Sequence, residues 1–111
     1  MTIFSKIIAK EIPAKIVYED DQCMAFHDIA PQAPVHILLI PKKEIKSLAH
    51  ITESDQALMG YLMVKASQIA KNQSLENGYR VVMNIGKDGG QTVDHLHFHI
   101  LGKRVMKETM G

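Results

Sequence analysis

The chain has 111 residues, 46% apolar and 23% charged, with a formal net charge of +1 at pH 7. That length fits one globular domain over 1–111, with one core and no second catalytic unit. The near-neutral balance excludes the broad electrostatic grip that DNA or RNA binding needs, and the pairs Lys42–Lys43 and Lys103–Arg104 are too short to supply one. A single cysteine, Cys23, excludes an internal disulfide and agrees with a reducing cytosol. The amphipathic start, with lysines at 6, 10 and 15, lacks the continuous apolar stretch of a signal peptide. No window approaches the roughly 20 apolar residues that span a bilayer. The expectation is a cytoplasmic protein with neither nucleic acid nor membrane as partner.

In chain order, Ile3, Phe4, Ile7 and Ile8 recur at helical spacing, which predicts a short helix over 2–10 bounded by Pro13. Apolar runs at 16–19 and 22–27 flank Asp20–Asp21 and read as a hairpin. The prolines at 31 and 34 make 29–34 a loop. Residues 36–40 are almost wholly apolar and end at Pro41, the pattern of a strand covered on both faces. Thr52, Glu53 and Asp55 suit a helix start. Leu58, Met59, Leu62, Met63, Ala66, Ile69 and Ala70 then form one apolar stripe, so a long helix is expected from Thr52 to about residue 74. Strands are predicted over 79–84 and 95–101, with a glycine-rich loop at 86–92 between them. Grouped rather than alternating strands predict an α+β fold: a five-stranded antiparallel sheet with one long and one short helix.

The chemical signal is His95-Leu96-His97-Phe98-His99-Ile100-Leu101. On a strand the three histidines share one face and the apolar residues the other, which can pack on the long helix. Three readings compete. The histidines can be a half-exposed strand face without function. Two of them can share a zinc ion, with His36 the nearest further ligand in the sequence. They can also perform metal-free phosphoryl chemistry. The preceding loop favours the last reading. Gly89–Gly90 lets backbone amides approach a phosphate, and Gln91 and Thr92 add neutral donors.

The motif His-φ-His-φ-His-φ-φ, with φ apolar, resembles that of the histidine triad family. The similarity extends along the chain through Ile3-Phe4-Ser5-Lys6-Ile7, Glu11-Ile12-Pro13-Ala14, Phe26-His27-Asp28-Ile29, Pro31-Gln32-Ala33-Pro34, His36, Ile40-Pro41-Lys42-Lys43, Gly78-Tyr79-Arg80 and Gly89-Gly90-Gln91. These segments resemble the nucleotide-binding branch of that family. The resemblance implies a homodimer whose two five-stranded sheets join into one, with a purine nucleotide site in each subunit. It implies an apolar purine pocket of Ile3, Phe4, Ile7, Phe26 and Ile29, residues for which core packing alone is the rival explanation. It implies that Asp28 accepts from ribose hydroxyls, and that Asn84, Gly90, Gln91 and Thr92 hold the α-phosphate with His97 and His99. His36 would join the proton network.

The implied reaction is hydrolysis of purine nucleoside phosphoramidates, releasing AMP or GMP through a nucleotidyl-histidine on His97. His95 would orient His97, and His99 or Thr92 would serve the leaving amine. No metal and no cofactor is required. A third histidine, His99, stands where the transferase branch carries glutamine, which favours a hydrolase. Two features depart from the branch: Thr92 replaces its usual serine, and the tail 103–111 lacks the Trp-Pro-Pro-Gly ending. The alternatives are a dinucleoside polyphosphate hydrolase, a nucleotide-binding regulatory or scaffold protein with incidental hydrolysis, and a metal-binding protein.

Overall fold

A computed structural model describes residues 1–111. Two α-helices and five strands run in the order α1 (Ile3–Ile8), β1 (Ile16–Glu19), β2 (Cys23–His27), β3 (Val35–Pro41), α2 (Gln56–Asn72), β4 (Tyr79–Val82) and β5 (Phe98–Gly102). The strands form one sheet in the order β1-β2-β3-β5-β4, antiparallel at every pairing. The predicted α+β architecture is therefore present. None of its helices is long and apolar enough to cross a membrane.

The two faces of the sheet follow from strand alternation. Cys23, Ala25, Ile37, Leu39, Leu96, Phe98 and Ile100 bury one face with Leu62, Ala66, Ile69 and Ala70 of α2. Met24, Phe26, Leu38 and Ile40 bury the other with Phe4 and Ile7 of α1. A six-residue helix is too short to be stable by itself. It is held by that docking and by its cap: Ser5 N–H donates to Thr2 Oγ1 at 3.2 Å, and Thr2 N–H to Ser5 Oγ at 3.4 Å.

Three boundaries differ from the sequence expectation. The long helix opens with a 3₁₀ turn, Glu53–Asp55, before α2 begins. Asp55 accepts from Thr52 N–H at 3.0 Å and from Lys43 Nζ at 2.5 Å, which ties that turn to the end of β3. β4 stops at Val82 rather than at residue 84, where the glycine loop turns away. β5 starts at Phe98 rather than His95. Its ladder to β3 runs from Val35↔Gly102 to Leu39↔Phe98 and goes no further. Upstream, Leu96 N–H donates to Ile45 O at 2.7 Å and the His95 ring donates from Nε2 to Pro41 O at 2.8 Å. Pro41 has a carbonyl but no N–H, so its backbone has no donor to extend the ladder.

Candidate active site

The alternation of the triad survives although only His99 lies within β5. Leu96 and Phe98 enter the α2 core, while His95, His97 and His99 turn to the α1 side. That side is not half open: His95 and His97 retain 1% and 4% of their exposure. The cover is Phe4 of α1. Its ring meets His97 edge-on at 5.1 Å, Phe26 at 5.6 Å and His95 at 6.1 Å between centroids. His99 packs against His97 at 5.0 Å and stays partly exposed.

Backbone carbonyls set two of the ring tautomers. A carbonyl only accepts, so the bond of 2.6 Å between His97 Nδ1 and His95 O places the His97 proton on Nδ1. Nε2 of His97 keeps its lone pair and has no protein partner. The orienting group is thus the main chain of His95, not its imidazole, which is spent on Pro41 O. Burial pushes the His97 pKa below its ordinary value, opposed by the bond to His95 O. Burial, then the neighbouring His97 and His36, pushes His99 down to about 4. His36 is also lowered by burial, with Asp28 opposing. All three rings are accordingly neutral at pH 7.

A cavity of about 270 Å³ opens in front of these rings. Of the sequence-selected residues, Ile3, Phe4, Ile7, Phe26, Asp28, Ile29, Thr92, His97 and His99 line it. His36 stands behind His99, its Nε2 2.9 Å from His99 Nδ1, and His95 lies behind Phe4 and His97. Asn84, Gly90 and Gln91 are not in the wall. Asn84 Nδ2 donates to Gly89 O at 2.8 Å. Gln91 accepts from Gly86 N–H at 2.9 Å and donates to Lys46 O and Val93 O at 2.8 and 2.9 Å. Those side chains clamp the loop that delivers Thr92 and Val93 to the cavity. Gly89 is packed so closely that a Cβ would lie 2.2 Å from Ile85 O.

Sequence reasoning gave no role to Ile12, Pro13, Ala14, His27, Leu38 and Val93, which also line the wall. Ile12-Pro13-Ala14 and His27 stand inside the segments 11–14 and 26–29 that resemble the family. Leu38 was legible only as an alternate strand position, and Val93 carried no signal. Leu38 sits opposite His99 in the β3–β5 register.

No lysine or arginine lines the cavity. Asp28 Oδ1 accepts from Ala30 N–H at 2.8 Å, and Oδ2 lies 3.4 Å from His36 Nε2. A second hollow of about 690 Å³ begins beyond Asp28, bounded by Lys15, His27, Pro31, Pro34 and His36. The arrangement is an apolar slot ending at a neutral imidazole with a free nitrogen lone pair. It can hold a flat apolar group at one end and expose an electrophile to a nucleophile at the other.

The profile of the HIT domain matches residues 9–106. The chain is 59% identical over 103 residues to an uncharacterized HIT-like protein of Synechococcus elongatus, covering 93% of this chain and 90% of that one. A HIT family hydrolase from Legionella pneumophila superposes with a TM-score of 0.97 at 43% identity, over all of both chains. A histidine triad nucleotide-binding protein from Candida albicans superposes with a TM-score of 0.82 at 30% identity, over 100% of this chain and 87% of that one. This protein belongs to the histidine triad family.

Proposed function

We propose that the protein hydrolyses purine nucleoside phosphoramidates, releasing AMP or GMP and an amine, with His97 as nucleophile and no metal or cofactor. The observation that carries this reading is the lone pair on His97 Nε2, fixed by the His95 carbonyl and facing a mainly apolar cavity of about 270 Å³. The kinship with a hydrolase and a nucleotide-binding protein supports the same class.

The purine lies among Ile3, Phe4, Ile7, Phe26 and Ile29, and Asp28 Oδ2 receives a ribose hydroxyl. His97 Nε2 attacks the α-phosphorus, its lone pair forming the P–N bond of a nucleotidyl-histidine. The bond from phosphorus to the amine breaks, and that nitrogen keeps the electron pair and takes a proton. The Thr92 hydroxyl and His99 N–H are the protic groups beside it. Water then attacks phosphorus, the bond to Nε2 breaks, and the proton lent is returned. In net, water gives OH to phosphorus and H to the amine. With no cation in the wall, the neutral protic groups that line it, His99 and Thr92, stabilise the developing charge, because the Gly90 and Gln91 amides are spent within the loop on Lys87 O and Gly86 O. Asn84 and Gln91 serve by shaping that loop.

Homodimerisation is part of the reading. β4 is an edge strand paired only with β5, and the sheet could continue across it. Tyr79 on that edge and Met63 and Val64 on α2 are exposed apolar side chains. A cytoplasmic location belongs to the same proposal, supported by the lone reduced cysteine.

The test is hydrolysis of adenosine 5′-phosphoramidate by wild type and His97→Ala with chelator present. AMP release by the wild type, abolished in the variant, is the expected result. Failure of the wild type to release AMP while cleaving a diadenosine polyphosphate would move the assignment to that substrate class. AMP binding without any cleavage would leave a binding role.

A further inference from the structure

Asp28, His36 and His99 bring three ligand-type atoms within 4.8 Å of one another, a spacing that suits a metal ion. The hydrogen bonds around His36 argue for a different purpose. The main-chain N–H of Gln32 donates to His36 Nδ1 at 3.0 Å, so that nitrogen carries the lone pair and the proton of neutral His36 sits on Nε2. A metal bound at Nε2 would force the proton to Nδ1, where it would face the Gln32 N–H as a second donor. The Nε2–H instead points at His99 Nδ1, 2.9 Å away, with Asp28 Oδ2 a longer contact at 3.4 Å.

The consequence passes to His99. Its Nδ1 accepts from His36, so its own proton must sit on Nε2, which has no protein partner and belongs to the edge of the ring left for the cavity it lines. We propose that the main-chain amide of Gln32, acting through His36, holds His99 in the single tautomer that presents an N–H to the substrate. This rests on the phosphoryl-transfer reading above. In the other tautomer a lone pair would face the phosphate oxygens, replacing a hydrogen bond with repulsion.

The Gln32 peptide is built into place on both sides. Its carbonyl accepts from Arg104 Nε at 3.2 Å, beyond the end of β5. Its neighbours at 31 and 34 are prolines, which have no N–H and restrict the loop. Asp28 N–H donates to His36 O at 3.0 Å and closes the loop at its base. Gln32 and Arg104 are therefore positioning residues: neither lines the cavity.

Imidazole ¹⁵N spectra of the whole protein at pH 7 test the proposal independently of any substrate. The expected result is His99 with its proton on Nε2. A proton on Nδ1 of His99 in the wild type overturns the proposal. Replacing the Pro31–Gln32 main-chain amide with an ester by semisynthesis puts an oxygen that cannot donate where the Gln32 N–H stood. Mixed His99 tautomers in that protein are expected, with kcat/KM on adenosine 5′-phosphoramidate lower by about tenfold or more. An unchanged His99 spectrum in the ester protein refutes the lock. The side-chain series is His36→Gln, which retains a donor where Nε2 stood, against His36→Phe, which does not. His99 should keep its tautomer in the first and lose it in the second, and the same spectrum in both would count against the idea. If the tautomers behave as stated but no phosphoramidate is cleaved, the proposed substrate is wrong and the lock stands.

Discussion

Replacing Phe4 with alanine separates the two jobs of α1, covering the sheet and drying His97. Phe4 is 6% exposed and touches three other rings. Core Phe→Ala changes cost about 3–5 kcal/mol. Here the space vacated joins an open cavity and fills with water, which avoids part of the void penalty, so about 2–4 kcal/mol is expected. At a few degrees per kcal/mol for a domain of this size, the melting temperature falls by roughly 10–20 °C. Burial is the leading cause of the low His97 pKa, so the same substitution raises that pKa toward its ordinary 6.5. The acid limb of kcat/KM then moves to higher pH, and KM rises as one wall of the nucleotide slot is lost. Denaturant unfolding, NMR titration of His97 and the pH–rate profile read the three effects. A His97 titration that stays put while stability drops as expected would refute the claim that α1 desolvates the nucleophile. Phe4→Leu, which keeps most of the volume, should cost below about 1.5 kcal/mol and move the titration less.

The loop before the triad should be intolerant at Gly89, because an added Cβ meets Ile85 backbone atoms at 2.2–2.9 Å that no side-chain rotation can move. Gly89→Ala is expected to cost about 1–3 kcal/mol and to lower activity by displacing Thr92; a loss under about 0.5 kcal/mol in urea unfolding would contradict the packing argument. Acidification supplies another check. His36, His97 and His99 have folded pKa values below 6.5, so the unfolded chain binds protons first, and stability falls as pH drops from about 6.5 toward about 4. The lowered carboxylates Glu19, Asp20 and Asp55 contribute stability that is lost only at lower pH, below their ordinary values of 4.5 and 3.8. Urea midpoints that are flat between pH 7 and 5 would show that the histidines are not desolvated. Cys23 is fully buried, and burial followed by Asp20 pushes its thiol up to about 12. A thiol reagent at pH 8 should therefore label only the unfolded protein, and rapid labelling of the native state would argue for opening of the β1–β2 hairpin.

Local pattern determined much of this protein. The apolar stripe from Leu58 to Ala70 requires a helix, and grouped strand-like runs require an antiparallel sheet. The alternation from His95 to Leu101 puts three imidazoles on one side wherever the strand happens to begin. These features depend on periods of 3.6 and 2 residues, which sequence carries directly. What only the tertiary structure decided lies between distant or chemically anonymous groups. His36 meets His99 across 63 positions because the β3–β5 register makes them diagonal neighbours on one face. Phe4 of α1 covers His95 and His97, which alternation alone left half open. The proton on His97 is set by the carbonyl of His95, and the amide of Gln32 meets the ring of His36. Every residue has a carbonyl and nearly every residue has an amide. No residue code can announce which of them will meet a ring; only the folded path of the chain selects it.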